Sequence, residues 1–170
     1  MKKLNILKTV LDLFWIFTLM SIAGMVIFIP LYFFSFDNDM SIKIKGHEIS
    51  DSTIIAKIIV FVNIISGLLF VYSIYLLRKV VGMFQSKEIF NDEVVKYFNL
   101  IGKLIIASSI ISSLSLFIYN GVERKHLGLT LDFGNYDSFL ISISLGLFFM
   151  VISEIFKIAK NMKEDSDLMI

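Results

Sequence analysis

The sequence predicts an all-α integral membrane protein in which four transmembrane helices form a bundle. Hydrophobic residues make up 56% of its 170 residues and charged residues only 18%, whereas soluble domains average about 45–50% and about 25%. Four apolar stretches are each about 20 residues or longer, which is enough to cross a hydrocarbon core of about 30 Å. Because the backbone finds no water in that core, each stretch should be helical.

The predicted spans cover residues 10–34, 54–77, 100–119 and 138–158. Their apolar residues are spread around the helix, whereas an amphipathic surface helix confines them to one stripe. The first span follows Lys2 and Lys3, so a cleaved secretory signal is the alternative for it. Its apolar run continues to Phe34, which is too long for a signal core, and we expect it to remain as a span.

Positive charge is unevenly divided between the two sides of these spans. Eleven Lys and Arg residues flank one side: Lys2, Lys3, Lys8, Arg78, Lys79, Lys87, Lys96, Lys103, Lys157, Lys160 and Lys163. Five flank the other side: Lys43, Lys45, Lys57, Arg124 and Lys125. Because cytoplasmic segments are enriched in Lys and Arg, we expect both termini, the middle loop 78–99 and the tail 159–170 in the cytoplasm.

The two outer loops, 35–53 and 120–137, contain short segments that alternate apolar and polar residues. These segments are residues 41–49, where Gly46 is placed for a turn, and residues 126–133. Period-two alternation is typical of half-buried strands. We expect a small extracytoplasmic β-hairpin or sheet that caps the bundle, since a lone hairpin is only marginally stable in water.

The middle loop contains the start of a helix. Asn91 is a good N-cap, and Asp92 and Glu93 follow in the first turn, where the helix dipole favours acids. Phe90 and Val95 have the spacing of a hydrophobic staple. This helix should continue into the third span, with its first turns below the membrane.

Two segments have distinctive patterns. Residues 84–102 resemble a loop with the pattern G-x-x-F-x-x-E-N-V-x-x-L-x-x-I-G. Residues 152–156 and 165–170 resemble the ending L-A-E-V-F and then E-x-D-L-T-I, with Ser153 and Met169 replacing Ala and Thr. Both patterns are similar to those of a family of small bacterial membrane proteins, known as domain of unknown function 2975. The resemblance implies four spans in the same order, the bacterial inner membrane and, as a cytoplasmic partner, a small helix-turn-helix transcription regulator. It implies no catalytic residues.

Charged residues near the span ends are candidates for an ion relay. The candidates form a predicted interfacial charge cluster: Asp12, Lys103, Glu154 and Lys157. None lies at mid-membrane, where a relay needs one. Glu154 and Lys157 also share one helix face, so the pattern favours interfacial ion pairs.

Small and polar residues within the spans indicate helix packing. The predicted packing residues are Asn63, Ser109, Ser113, Ser142 and Gly146. Asn63 should hydrogen-bond a neighbouring helix, and the serines and glycine should let the third and fourth helices approach closely. A water-lined pore around the serine-rich third helix is the alternative.

Several kinds of chemistry find no support in the residues. Cysteine is absent, which excludes thiolate metal ligands and nucleophiles. The spacing of His47, Glu48 and His126 matches no metal motif, and no base is set beside a nucleophile. A net charge of +1 provides no basic field for nucleic acid. We expect no enzyme, metal or cofactor.

The distinctive residues lie in the predicted cytoplasmic segments. The predicted partner-binding residues are Phe84, Ile89, Phe90, Leu168 and Ile170, which are apolar and rimmed by charge. The sequence therefore favours a non-enzymatic membrane sensor or regulator that binds a cytoplasmic partner. A small oligomeric channel or transporter is the alternative.

Overall fold

Four long helices make up most of the protein. The computed structural model describes residues 2–34, 42–44, 47–49, 54–122 and 139–168. The helices are α1 (Lys2–Phe34), α2 (Ile54–Gln85), α3 (Asp92–Val122) and α4 (Phe139–Leu168). Each is long and apolar enough to cross a membrane, so the prediction of four helices able to span a membrane is confirmed within the described residues.

The helices extend beyond the predicted spans on one side. Helix α2 continues to Gln85 and α3 begins at Asp92, so the connection between them is residues 86–91. Helix α4 continues through the predicted tail to Leu168. Hydropathy detects only the apolar part of a helix, and the polar turns that project from it carry no such signal.

The helices pack in chain order, and each runs antiparallel to the one before it. Extensive contacts join α1 to α2, α2 to α3 and α3 to α4, so the predicted bundle is an open row. We call the end that holds the start of α1, the connection 86–91 and the end of α4 the proximal end. The opposite end, where α1 ends and α4 begins, is the distal end.

Helix α3 is the central element of the row. Of its most apolar window, 44% is buried inside the protein, compared with 6% for α1. The main core cluster lies between α2, α3 and α4 near the proximal end, and its buried members are Leu76, Val80, Met83, Val94, Phe98, Ile101 and Ile105. The outer faces of the row expose apolar side chains, as expected of helices that face lipid.

A short antiparallel pair precedes α2. Strand β1 (Ile42–Ile44) pairs with β2 (His47–Ile49), with Lys43 opposite Glu48. The alternating residues 126–133 lie outside the described residues. A β cap over the bundle is not established by this pair and stays a prediction.

The connection 86–91 is closely built. Asn91 caps α3, as predicted, because its Oδ1 accepts a hydrogen bond from the Glu93 N–H at 3.1 Å. Helix α2 ends in a Schellman motif, in which the Glu88 N–H donates to the Met83 carbonyl at 3.1 Å. Lys87 takes the left-handed position of this motif with φ 63°. These bonds leave the connection little freedom.

Two glycines bring the backbones of α3 and α4 together. A Cβ on Gly146 would lie 2.8 Å from the Gly102 carbonyl oxygen and 2.5 Å from Ile106 Cγ1. A Cβ on Gly102 would meet the Gly146 carbonyl oxygen and lie 2.6 Å from Met150 Cγ. Such close approach through small residues is typical of membrane helix pairs.

Gly102→Ala should lower the free energy of unfolding in detergent by roughly 1–3 kcal/mol, as overpacking does. The added methyl group must displace the backbone of Gly146 or the side chain of Met150. The matched control is Gly67→Ala on α2, where nothing lies within 4 Å of the new Cβ. That control should be neutral or gain up to about 1 kcal/mol of helix propensity. Equal unfolding midpoints for the two variants would contradict the contact.

Candidate functional site

Polar side chains hold α1 to α2 at the proximal end. Asp12 forms an ion pair with Arg78. The Lys8 ammonium donates to Gln85 Oε1 at 2.8 Å, and Gln85 Nε2 donates to Asn5 Oδ1 at 3.0 Å. Because Gln85 is the last residue of α2, these bonds join α1 directly to the start of the connection.

The predicted interfacial charge cluster is divided. Asp12 lies on α1 and pairs with Arg78, which was not in the predicted set. Lys103, Glu154 and Lys157 are exposed, and none of them forms an ion pair within the described part of the chain. The sequence predicted that all four residues lie at one depth in the membrane. Depth alone does not determine which side of the row of helices a residue occupies.

Aromatic rings pack together beneath the proximal end. The Phe84 ring lies 5.5 Å from Phe156 and 6.1 Å from Phe98, and Phe98 lies 5.4 Å from Phe156. These rings join the end of α2 to α3 and α4. Phe84 is therefore a half-buried packing residue, and its role in partner binding stays a prediction.

The connection and the last turns of α4 lie side by side. Lys160 pairs with Asp92 at 2.7 Å and with Glu164 at 3.2 Å. The Lys163 ammonium lies 5.3 Å from the centre of the Phe90 ring, a cation–π distance. We call the surface formed by residues 86–91 and 159–168 the proximal face.

The proximal face exposes apolar side chains among charges. Ile89 is 36% exposed, Phe90 43% and Leu168 85%. Ile170, the remaining predicted binding residue, lies outside the described residues. The two segments singled out by the sequence therefore meet on one surface, and a macromolecule could contact both.

Hydrogen bonds fill the seam between α2 and α3. The Ser66 hydroxyl donates to the Ser108 carbonyl at 2.7 Å, and the Ser108 hydroxyl donates to the Ser66 carbonyl at 2.9 Å. Asn63 donates to Ser115 Oγ at 2.8 Å and accepts from the Ser112 hydroxyl at 3.0 Å. Three of the five α3 serines therefore face α2, not α4.

The seam between α3 and α4 has fewer hydrogen bonds. The Ser153 hydroxyl donates to the Val95 carbonyl at 2.7 Å. Ser109 is buried, yet its Oγ has no hydrogen-bond partner within the described residues. Ser113 and Ser142 are half-buried, and the Gly102–Gly146 contact supplies the close packing.

Nearly the whole chain matches a known protein family. Residues 5–170 match the family described as "Protein of unknown function (DUF2975)". The chain belongs to this family. Comparison with curated proteins and with solved structures gave no match.

Several residues form helix contacts, described above, that were not predicted from the sequence. These are the contacts of Gly102, Arg78, Gln85 and Lys160 with other helices. Gly102 had a usable signal, because it lies among apolar residues where a small side chain permits close approach. Gln85 had none, since its partners on α1 are distant in the sequence.

Lys160→Gln should loosen the last turns of α4, because it removes the ion pair to Asp92. Exposed pairs are screened by solvent and stabilise only modestly, so amide exchange in residues 159–168 should rise by no more than about fivefold. Hydrogen–deuterium exchange mass spectrometry in detergent measures it. Lys157→Gln is the control on the same helix, because Lys157 is exposed and has no ion pair among the described residues. Identical exchange in both variants would mean that the pair does not hold α4 in place.

Proposed function

We propose that the protein is a non-enzymatic membrane regulator, whose proximal face binds a cytoplasmic protein partner. A small helix-turn-helix transcription regulator is the partner that the family resemblance suggests. The observation that carries the proposal is the joining of the connection 86–91 to the end of α4 through Asp92–Lys160 and Phe90–Lys163. Exposed apolar groups rimmed by charge are typical of binding sites.

Charge distribution supports a cytoplasmic proximal end. Eleven of the 16 Lys and Arg residues lie on the proximal side of the spans, and the positive-inside tendency sets orientation by such a bias. A cytoplasmic protein partner needs this orientation. The bacterial inner membrane is the location that the proposal assumes.

The sensing part of the proposal rests on α1. Only 6% of the most apolar window of α1 is buried, so its position depends on a small contact area with α2. The hydrogen bonds of Gln85 to Lys8 and Asn5 join α1 to the connection. A change in α1 is therefore positioned to alter the proximal face.

A channel is not proposed. That alternative depended on the serine-rich third helix as a pore lining. Ser108, Ser112 and Ser115 are engaged in hydrogen bonds with α2, so these hydroxyl groups support helix packing.

The orientation is tested by cysteines placed at Ser41, Glu88 and Asn135. The chain has no cysteine of its own, so any label on this protein reports the introduced cysteine. An impermeant thiol reagent should label the first and third positions in intact cells, and should label Glu88→Cys only after permeabilisation. Labelling of Glu88→Cys in intact cells would place the proximal face outside and contradict the proposal.

The partner surface is tested by the double variant Ile89→Ser and Leu168→Ser. Purified full-length protein is titrated with a small helix-turn-helix regulator encoded beside a protein of this family. Truncation of apolar anchors at an interface costs about 2 kcal/mol or more, so affinity should fall about 30-fold or more.

The matched control is Ile6→Ser with Leu7→Ser. These side chains are also apolar, 64% and 45% exposed, and lie on α1 at the same end. The control should keep the wild-type affinity. If the proximal-face variant binds as tightly as the control, the face is not the binding surface. If the wild-type protein binds no regulator, the choice of partner is wrong.

A further inference from the structure

Three exposed lysines lie along the seam between α3 and α4, near the proximal end. Five of the eleven basic residues on this side contact another side chain: Lys8, Arg78, Lys79, Lys160 and Lys163. Lys96, Lys103 and Lys157 are exposed and form no ion pair within the described ranges. Asp92, one turn before Lys96, pairs directly with Lys160, and Lys96 acts on it only at longer range.

The two α3 lysines lie on one side of the helix, beside α4. Lys96 and Lys103 are seven residues apart, which is about two helical turns, so they share a face. Each directly follows a residue that touches α4. The Val95 carbonyl accepts a hydrogen bond from the Ser153 hydroxyl at 2.7 Å. Gly102 contacts Gly146.

Lys157 lies on the same seam from the α4 side. It is four residues after Ser153 and three before Lys160, and both of these residues bond α3. Residues at these spacings share a helix face. Phe156, one position earlier, points into the aromatic core, so Lys157 lies towards the outer side of the seam. The three lysines form what we call the lysine patch.

The lysine patch spans the boundary between the hydrocarbon core and the lipid headgroups. Helix α3 has 31 residues, about 46 Å, whereas the hydrocarbon core is about 30 Å thick. About 8 Å therefore projects at each end of a centred helix. Lys103 lies about 16 Å from the start of α3, so it begins inside the core and must extend its ammonium outwards. Its exposed apolar neighbours on α3 are Leu100 and Ile110.

We propose that the lysine patch binds the phosphate group of an anionic phospholipid, with the acyl chains against the outer side of α3 and α4. Lys96 and Lys103 share a face of α3, with Lys96 nearer the water, so both side chains can extend towards the same headgroup at the edge of the core. Basic groups between transmembrane helices are suited to such headgroups. Glu154, exposed and three residues from Lys157, opposes binding and sets a limit on the affinity.

The test uses the full-length protein in mild detergent with short-chain phosphatidylglycerol as the probe. Its affinity is followed by the rise in unfolding midpoint. The double variant Lys103→Gln and Lys157→Gln should bind about 30-fold more weakly, because each lysine near a membrane surface contributes about 1 kcal/mol. Glu154→Gln should bind at least as tightly as wild type.

A matched control and two further probes make the result decisive. Lys2→Gln with Lys87→Gln removes the same charge from exposed positions at the same end and should keep wild-type affinity. If phosphatidylcholine stabilises the protein equally, or the two double variants behave alike, the proposal is overturned. If inorganic phosphate alone gives the same effect, the site takes free phosphate and the lipid assignment is wrong.

Folding is checked separately from lipid binding. The replaced side chains are exposed, so every variant should unfold at the wild-type midpoint in detergent without lipid. Lys103→Arg with Lys157→Arg retains the charge and should retain binding if the patch acts on phosphate. Loss of binding in this arginine variant would overturn the proposal, since arginine also binds phosphate.

Discussion

The arrangement of the helices depends on the two different seams of α3. Between membrane helices the hydrophobic effect supplies little attraction, because lipid tails are as apolar as the side chains. Position must come from close packing and hydrogen bonds. Ser66 and Ser108 bond each other across the seam with α2. Gly102 and Gly146 bring the backbones together across the seam with α4. Helix α3 thereby fixes both neighbours.

Helix α1 is held differently from the other three. Its apolar length is nearly all exposed, and Asp12, Lys8 and Asn5 supply its polar contacts with α2. Elements with few buried contacts are the first to move in a protein. The same contacts end at Gln85, beside the connection to α3. The least buried helix is thus linked to the proximal face, where apolar side chains are exposed among charges.

The proximal face and the lysine patch meet at α4. Lys157 belongs to the lysine patch. Lys160, one turn later on α4, pairs with Asp92 and lies near the start of the proximal face. The two surfaces differ in surroundings. Residues of the proximal face extend past the apolar span and suit a protein in water, whereas Lys103 lies among apolar side chains and suits a lipid. Under the two proposals, α4 contributes Lys157 to lipid binding and Leu168 to partner binding.

The sequence by itself determined the membrane class, the four spans and the start of α3 at Asn91, because hydropathy and capping act locally along the chain. It also singled out Ile89 and Phe90, which are exposed. Only the tertiary structure decided which residues face each other: it paired Asp12 with Arg78 and turned Phe84 inwards. Hydropathy gives the depth of a residue in the membrane, but the side of the helix it occupies depends on packing between distant segments.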